Sequence, residues 1–172
     1  MFWALLKIGF LASLPLVEQR LAIPVGYFSF HLPIGWVTFV SILSNVISVA
    51  IVLWLLPRIT RLCQRHSPPF HKFLEKIYAR TRSKHSHNIH IWGELFLIFF
   101  VAMPIPGSGG WTGALIAFLF GVRYRVAIKL ISIGLIIGGL LIAGLTVGAA
   151  GMIKLFQDIP DGIIELVPTV LP

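Results

Sequence analysis

Four long apolar blocks, separated by short polar or basic segments, set the pattern of this chain. They cover residues 2–31, 34–57, 92–121 and 126–151. The second block has no charged residue from Gly35 to Leu56, and the fourth carries only Lys129, near its start. About 20 apolar residues are enough to cross the hydrocarbon core of a bilayer as a helix. We therefore predict one full transmembrane helix in each of these two blocks, the first of them ending at Pro57 and Arg58.

The first and third blocks are interrupted near their centres. The first contains Pro15, Glu18, Arg20, Pro24 and Gly26, and the third contains the segment MPIPGSGGWTGAL. A proline removes a helical hydrogen bond, and broken backbone at membrane depth is tolerated only inside the protein or beside a cavity. We therefore predict that each block forms a re-entrant hairpin, two half-helices that enter and leave on the same side.

These elements predict an all-α integral membrane protein with one domain, residues 1–172. The predicted first repeat (1–57) and second repeat (92–151) each contain a hairpin and a transmembrane helix, joined by a basic linker (58–91) and followed by a tail (152–172). Because each half crosses the membrane once, the second half is inverted relative to the first. Breaks at matching positions of two inverted halves point to a transport site.

Composition and charge agree with a membrane protein. Hydrophobic residues make up 57% of the chain and charged residues only 12%, which excludes an ordinary soluble domain of this size. The net charge is +8, and eight of the 14 Lys and Arg residues lie between Arg58 and Lys84. That clustering favours a multi-pass protein of the inner or plasma membrane with a cytoplasmic linker, rather than a nucleic-acid-binding surface. Four full spans would instead place Arg123 and Arg125 outside, against the same rule.

The linker itself has a helical pattern. Ser67 and Pro68 resemble a helix start, and apolar residues then recur at helical spacing while basic residues occupy the other face. We predict an interfacial amphipathic helix over residues 68–84 that faces anionic lipid. A solvated connector helix is the alternative.

Two charges lie deep in an apolar block, Glu18 and Arg20. Charges inside a membrane segment are energetically expensive and usually functional. The planar guanidinium of Arg20 suits a phosphate or carboxylate, and Glu18 could be its counter-charge or a group that binds a coupling ion. The alternative is an ion pair that only holds the hairpin together.

The interrupted centre of the third block is rich in proline and glycine. Glycines allow a ligand to approach the backbone, and Ser108 or Thr112 can cap the half-helix that follows. The free N–H groups at the start of that helix would form an anion site. Trp111 could stack on a ligand or simply pack, and a turn without any ligand is the alternative.

No motif supports an enzyme, and we expect no cofactor or metal. The histidines at 85, 87 and 90 match no standard zinc spacing. The chain also has no P-loop, nucleophile elbow or dinucleotide fingerprint.

Two motifs carry a family resemblance. Residues 18–24, Glu-Gln-Arg-Leu-Ala-Ile-Pro, resemble the E-x-R-x-A-I-P signature of the small multidrug export family, and residues 104–115 resemble its P-x-P-G-[ST]-G-x-W-T-G-A-L. That family is similar to the DedA/VTT superfamily, which has two re-entrant hairpins in an inverted repeat. The resemblance implies flipping of undecaprenyl phosphate or another phospholipid, driven by a proton or sodium gradient.

The resemblance also implies the substrate-binding residues, with Glu18 as the coupling group. They are Glu18, Arg20, Pro24, Pro104, Pro106, Gly107, Ser108, Gly109, Trp111 and Thr112. The expected function is a small secondary transporter of a lipid-linked phosphate. A small-molecule, drug or cation exporter that uses Glu18 as its exchange site and a non-transporting membrane scaffold are the alternatives. Two transmembrane helices are too few to surround a transport pathway. We therefore expect a homodimer that forms through the glycine face of residues 134–148.

Overall fold

The protein is described by a computed structural model over residues 1–66, 87–105 and 107–157, without the side chains of residues 62–66, 87–92, 155 and 156. Within these ranges the chain is all-helical, as predicted. The helices are α1 (Phe2–Ser13), α2 (Glu18–Phe28), α3 (Ile34–His66), α4 (His87–Ala102), α5 (Gly110–Leu119) and α6 (Tyr124–Gln157). The predicted amphipathic helix 68–84, Pro106 and the tail beyond 157 lie outside the described residues.

Two helices, α3 and α6, are long and apolar enough to cross a membrane. Their apolar stretches are Ile34–Arg61, with 28 residues, and Tyr124–Lys154, with 31. At 1.5 Å per residue these measure about 42 and 46 Å, against about 30 Å for a hydrocarbon core. Each helix contains one of the predicted spans and extends beyond it. The helix α6 also takes in residues 152–157 of the predicted tail.

The prediction that the first span ends at Pro57 is wrong, because α3 continues through this proline to His66. A proline inside a helix removes one main-chain hydrogen bond but does not have to end the helix. Two arginines support this turn: Arg58 Nη1 donates to Trp54 O at 2.8 Å, and Arg61 Nε donates to Pro57 O at 3.2 Å. The guanidinium of Arg58 also lies 3.5 Å from the centre of the Trp54 ring.

The other four helices form two pairs of short helices, α1 with α2 and α4 with α5. They contain 12, 11, 16 and 10 residues, about 15 to 24 Å, so each is shorter than a hydrocarbon core. The helical structure is interrupted at residues 14–17 between α1 and α2, and at residues 103–109 between α4 and α5; we call these the first and the second break. The two predicted breaks are therefore present, and the helices of each pair contact each other.

The first break is shorter than predicted, since Pro24 and Gly26 lie inside α2. The proline leaves the carbonyl of Arg20 without its usual donor four residues later, and the helix continues. Gly26 is there for packing, because a Cβ at this position would lie 2.5 Å from Val37 Cγ1 on α3. The glycine thus allows α2 and α3 to approach closely.

The long helix α3 is the centre of the fold. It packs against α1, α2, α5 and α6, and its residues contribute to two buried apolar clusters, one around Ile23 and Val37 and one around Val49 and Ile131. Its outward face carries large exposed apolar side chains. They include Trp36, Phe39, Leu43, Ile47, Ile51 and Trp54. Lipid would solvate such a face, whereas water would not.

The glycines of α6 divide into two sets. A Cβ on Gly134 would lie 2.9 Å from Ile98 O, and one on Gly138 would lie 3.1 Å from Ala102 O, so both glycines let α6 pack directly on the main chain of α4. Gly144 and Gly148 have open space around them. Of the predicted glycine face, only the second half, Gly144 and Gly148, is therefore open to a second copy of the chain.

Candidate functional site

The two breaks meet at the first turn of α5. Glu18, the first residue of α2, is only 4% exposed, and its Oε1 accepts a hydrogen bond from the Trp111 N–H at 3.2 Å. The N-cap of α5 is Gly109, which has no side chain to cap the helix. A carboxylate is stabilised at a helix N-terminus by the free N–H groups and the helix dipole. Glu18 therefore caps α5 from the other helix pair.

Close packing fixes this contact. A Cβ on Gly109 would overlap the Glu18 carboxylate, so only glycine leaves room for it. The backbone of Glu18 has a φ of +45°, in the left-handed region that non-glycine residues rarely adopt. Such a conformation costs about 1 to 3 kcal/mol and persists when the surroundings impose it. Here the Glu18 N–H donates to Leu14 O at 3.0 Å while its side chain is held on α5.

Arg20 binds the start of the second break, where the chain leaves α4. Its Nη2 donates to Met103 O at 2.7 Å and to Ser108 Oγ at 3.0 Å. The Ser108 hydroxyl in turn lies 2.9 Å from Met103 O and 3.0 Å from Ile105 O. The Met103 carbonyl also accepts the Ile105 N–H at 2.9 Å, and Arg20 binds as a further donor because a carbonyl oxygen has two lone pairs. Arg20 and Ser108 together close the turn after α4.

The guanidinium of Arg20 has N–H donors that bind no other group within the described residues. Within the described residues all of its hydrogen bonds leave through Nη2, and the side chain is half-buried. Arginine has five N–H donors in a planar fork. Nε and Nη1 can therefore bind an anion while Nη2 stays on the protein, and charge-assisted bonds of this kind are the strong ones.

Trp111 connects the two breaks a second time. Its indole Nε1 donates to the main-chain oxygen of Ser13, the last residue of α1, at 3.3 Å. The carbonyl groups at a helix C-terminus need such partners. Trp111 thus satisfies the end of α1 with its side chain and binds Glu18 with its main chain.

Not every predicted site residue reaches this cluster. The structure brings together Glu18, Arg20, Ser108, Gly109 and Trp111. Pro104 and Gly107 lie in the exposed part of the turn, and Thr112 is half-buried on α5. Pro24 lies within α2, about 9 Å along the helix axis from Glu18.

The prediction that Ser108 or Thr112 caps α5 is wrong. Ser108 precedes the N-cap, Gly109, and its hydroxyl turns back to the carbonyl groups of the break. The role of the cap passes to Glu18, which binds Trp111.

Two polar residues near the site were not predicted from the sequence. Gln19 is 2% exposed and its Nε2 donates to Leu135 O on α6 at 2.8 Å. Asn45 on α3 is fully buried, and its Oδ1 lies 3.3 Å from the position that a Cβ would take on Gly110. The available signal was a neutral polar side chain in an otherwise apolar helix, which is weaker than a charge.

The described residues thus form an all-helical membrane protein in which two broken helix pairs meet at a charged cluster. The chain belongs to the family described as "Putative small multi-drug export protein", which matches residues 18–141. The match begins at Glu18 and includes both motifs, so the predicted family is confirmed. No curated protein and no solved structure matches the chain. The similarity to the DedA/VTT superfamily stays a prediction.

Proposed function

We propose that this protein is a secondary membrane transporter that moves a lipid-linked phosphate, such as undecaprenyl phosphate or a phospholipid, with a proton or sodium ion coupled through Glu18. The family description supports export across a membrane and gives no reason to expect an enzyme. The proposal of a lipid phosphate rests on one observation. Arg20, which has N–H donors without a partner in the described residues, lies near the N-terminus of α5, which already binds the Glu18 carboxylate.

The ligand is an anion because of how the charges are arranged. Arg20 is anchored on Met103 and Ser108 and offers its remaining donors to a second partner. The first turn of α5 supplies N–H groups at the positive end of a helix dipole. A phosphate has enough oxygen atoms to bind both at once.

Glu18 occupies the place that a bound phosphate would take. Its carboxylate accepts the Trp111 N–H and lies against Gly109. Neutralising Glu18 with a proton or a sodium ion removes the charge that α5 attracts, and a phosphate can then replace it. Anion and cation would therefore move together, which is the coupling that a secondary transporter needs.

The surroundings favour a lipid over a free anion. The outer faces of α3 and α6 carry large exposed apolar side chains, including Trp36 and Ile47 on α3 and Leu140 and Leu145 on α6. A phosphate with an acyl or isoprenyl tail can keep the tail in the bilayer while its head reaches the site. The proposal includes two re-entrant hairpins in an inverted repeat, each break at membrane depth.

The proposal is tested by transport in proteoliposomes. A fluorescent short-chain isoprenyl monophosphate is placed in both leaflets, and the loss of signal from the outer leaflet to a membrane-impermeant quencher is followed over time. We expect Arg20→Ala to slow transfer at least about tenfold, since losing a charge-assisted hydrogen bond costs about 1.5 to 3 kcal/mol. The matched control, Arg61→Ala, removes an exposed arginine whose hydrogen bond within the described residues goes to its own helix, and it should leave the rate within about twofold.

Arg20→Lys covers the possibility that the alanine variant fails to fold. A lysine can still donate to Met103 O but lacks the planar fork, so we expect a folded protein with slow transfer. Transfer at the wild-type rate in both variants would contradict the proposal.

The second candidate is export of a drug or another small molecule, which the family description favours. In that case Glu18 would exchange with a cationic substrate, and a lipophilic cation would be moved while the isoprenyl phosphate would not. The same vesicles distinguish the two, because each substrate can be loaded separately.

A further inference from the structure

Four buried polar side chains at the centre of the fold have atoms without any hydrogen-bond partner. Within the described residues these atoms are Gln19 Oε1, Thr38 Oγ1, Ser41 Oγ, and both Asn45 Oδ1 and Asn45 Nδ2. Buried polar groups are nearly always paired in proteins, and an unpaired one lowers stability. A core built only for packing would carry apolar side chains at these positions.

Three of these residues form a stripe along one face of α3. Thr38, Ser41 and Asn45 are spaced three and four residues apart, which places them on the same face of a helix. The stripe is about 10 Å long. The same face continues with Val49 and Leu53, both buried and apolar. The unpaired polar atoms of the described part of this face therefore lie towards the start of α3, although Thr60, buried further along, is polar as well.

The inner end of this stripe lies at the charged site. Asn45 Oδ1 is 3.3 Å from the position of a Cβ on Gly110, the first residue of α5 and a neighbour of the turn that binds Glu18. Gln19 Oε1 is 3.3 Å from the position of a Cβ on Gly139, which also lies 2.7 Å from the Ile42 side chain of α3. The unpaired atoms thus extend from the Glu18 carboxylate towards the first turn of α3.

We propose that the Thr38–Ser41–Asn45 face of α3 lines the route by which water and the polar headgroup reach Glu18 and Arg20, and that this structure is the closed state of that route. The unpaired atoms find partners when the route fills with water or with the headgroup. The route opens at the Ile34 end of α3, opposite the basic linker. The choice of headgroup rests on the proposed function, whereas the entry of water does not.

The chemistry of the stripe favours water and a phosphate over a metal ion. A stripe of about 10 Å is too long for one cation, whose ligand oxygens lie within about 2.6 Å. The set also contains a donor, Asn45 Nδ2, which would repel a cation, and hydroxyl groups that donate as well as accept. Water and phosphate oxygens can pair with this mixture along its whole length.

Single cysteines test whether water enters. In a Cys63→Ser background, Thr38→Cys, Ser41→Cys and Asn45→Cys are treated in vesicles with a charged, membrane-impermeant methanethiosulfonate reagent. We expect modification from the side of the Ile34 end, because only hydrated thiols ionise and react. Leu43→Cys and Ile47→Cys on the lipid-facing side, and Val49→Cys beyond the stripe, should not react. Gly35→Cys, at an exposed position, confirms that the reagent is active.

The outcomes separate the route from the transport activity. No modification at 38, 41 and 45 while Gly35→Cys reacts, or modification only from the opposite side, overturns the route even if the protein transports lipid phosphate. If all three positions react but no lipid phosphate moves, the route stands and the choice of substrate fails.

Apolar replacements along the stripe should change stability and transport in opposite directions. Thr38→Val, Ser41→Ala and Asn45→Leu remove unpaired polar atoms, so we expect an unchanged or higher thermal midpoint of the purified protein. The same variants should slow transport by about tenfold or more, because the open route loses its hydrogen-bonding groups. Lower stability with unchanged transport would contradict the inference and leave these residues a structural role.

Discussion

At the scale of single residues, Glu18 combines three features that rarely occur together. It is buried, its backbone is left-handed, and its carboxylate caps a helix of the other helix pair. Strained residues cluster at functional sites, where the surroundings hold them in place. A carboxylate that already occupies an anion site is suited to exchange with another anion.

The Glu18→Gln variant tests this exchange. The amide oxygen of glutamine can still accept the Trp111 N–H, so we expect a folded protein. Without an ionisable group, transport should no longer respond to a pH or sodium gradient across the vesicle membrane. Gradient-driven accumulation of lipid phosphate in one leaflet is the measurement, and accumulation at the wild-type level in this variant would contradict the role of Glu18.

The Gly109→Ala variant tests the packing around the carboxylate. Its methyl group would overlap Glu18, so we expect a loss of about 1 to 3 kcal/mol in stability and slow transport. Gly144→Ala is the control, since this helical glycine has open space around it. Equal thermal midpoints for the two variants in detergent would show that Glu18 does not lie on Gly109.

The charged residues of the site could be predicted from the sequence, but their partners could not. A charge in an apolar block stands out, as Glu18 and Arg20 do. Their partners, the Met103 carbonyl and the Trp111 N–H, are main-chain groups 83 and 93 residues away, and such groups have no sequence signature. Asn45 was missed because one neutral polar residue in a long apolar helix does not reveal whether it is paired.

At the scale of helices, proline alone does not decide where a helix ends. α2 continues through Pro24 and α3 through Pro57, whereas the chain breaks at 103–109. In that break prolines are combined with glycine, and Gly107 adopts a φ of +87°, which glycine tolerates. The sequence therefore located both breaks but overestimated the length of the first.

Glycine at α6 gives a prediction about helix packing. Gly134→Ala would bring a methyl group within 2.9 Å of Ile98 O, so α6 and α4 must separate and the protein should lose about 1 to 3 kcal/mol of stability. Gly148→Ala, on the same helix but with open space around it, should cause no loss. The comparison is made by thermal denaturation in one detergent. Equal losses in both variants would contradict this packing.

At the scale of the whole molecule, α3 joins the two helix pairs into one body. It contacts α1, α2, α5 and α6, and the charged site lies beside it. The sequence predicted the two long helices and two broken pairs, because apolar length and backbone breakers are local properties. How the pairs meet depends on packing between distant segments, for which hydropathy carries no information.

The re-entrant path makes a topological prediction. If both broken pairs return to the side they came from, Arg123 lies on the cytoplasmic side with the basic linker. A cysteine at this exposed position, in the Cys63→Ser background, should react with an impermeant reagent only in inside-out vesicles. Reaction only from the outside would mean that α4 and α5 together form a single crossing of the membrane.

Transport of a lipid phosphate by this protein depends on the binding of a phosphate headgroup at Arg20. The measurement is the thermal midpoint of the purified protein with an isoprenyl monophosphate, compared with the isoprenyl alcohol of the same length. A ligand at about 100 times its Kd stabilises the folded state by about 2.7 kcal/mol, so we predict a clear rise with the phosphate, little with the alcohol, and none in Arg20→Ala. An equal rise for phosphate and alcohol, or a full rise in Arg20→Ala, would show that Arg20 does not bind a phosphate headgroup.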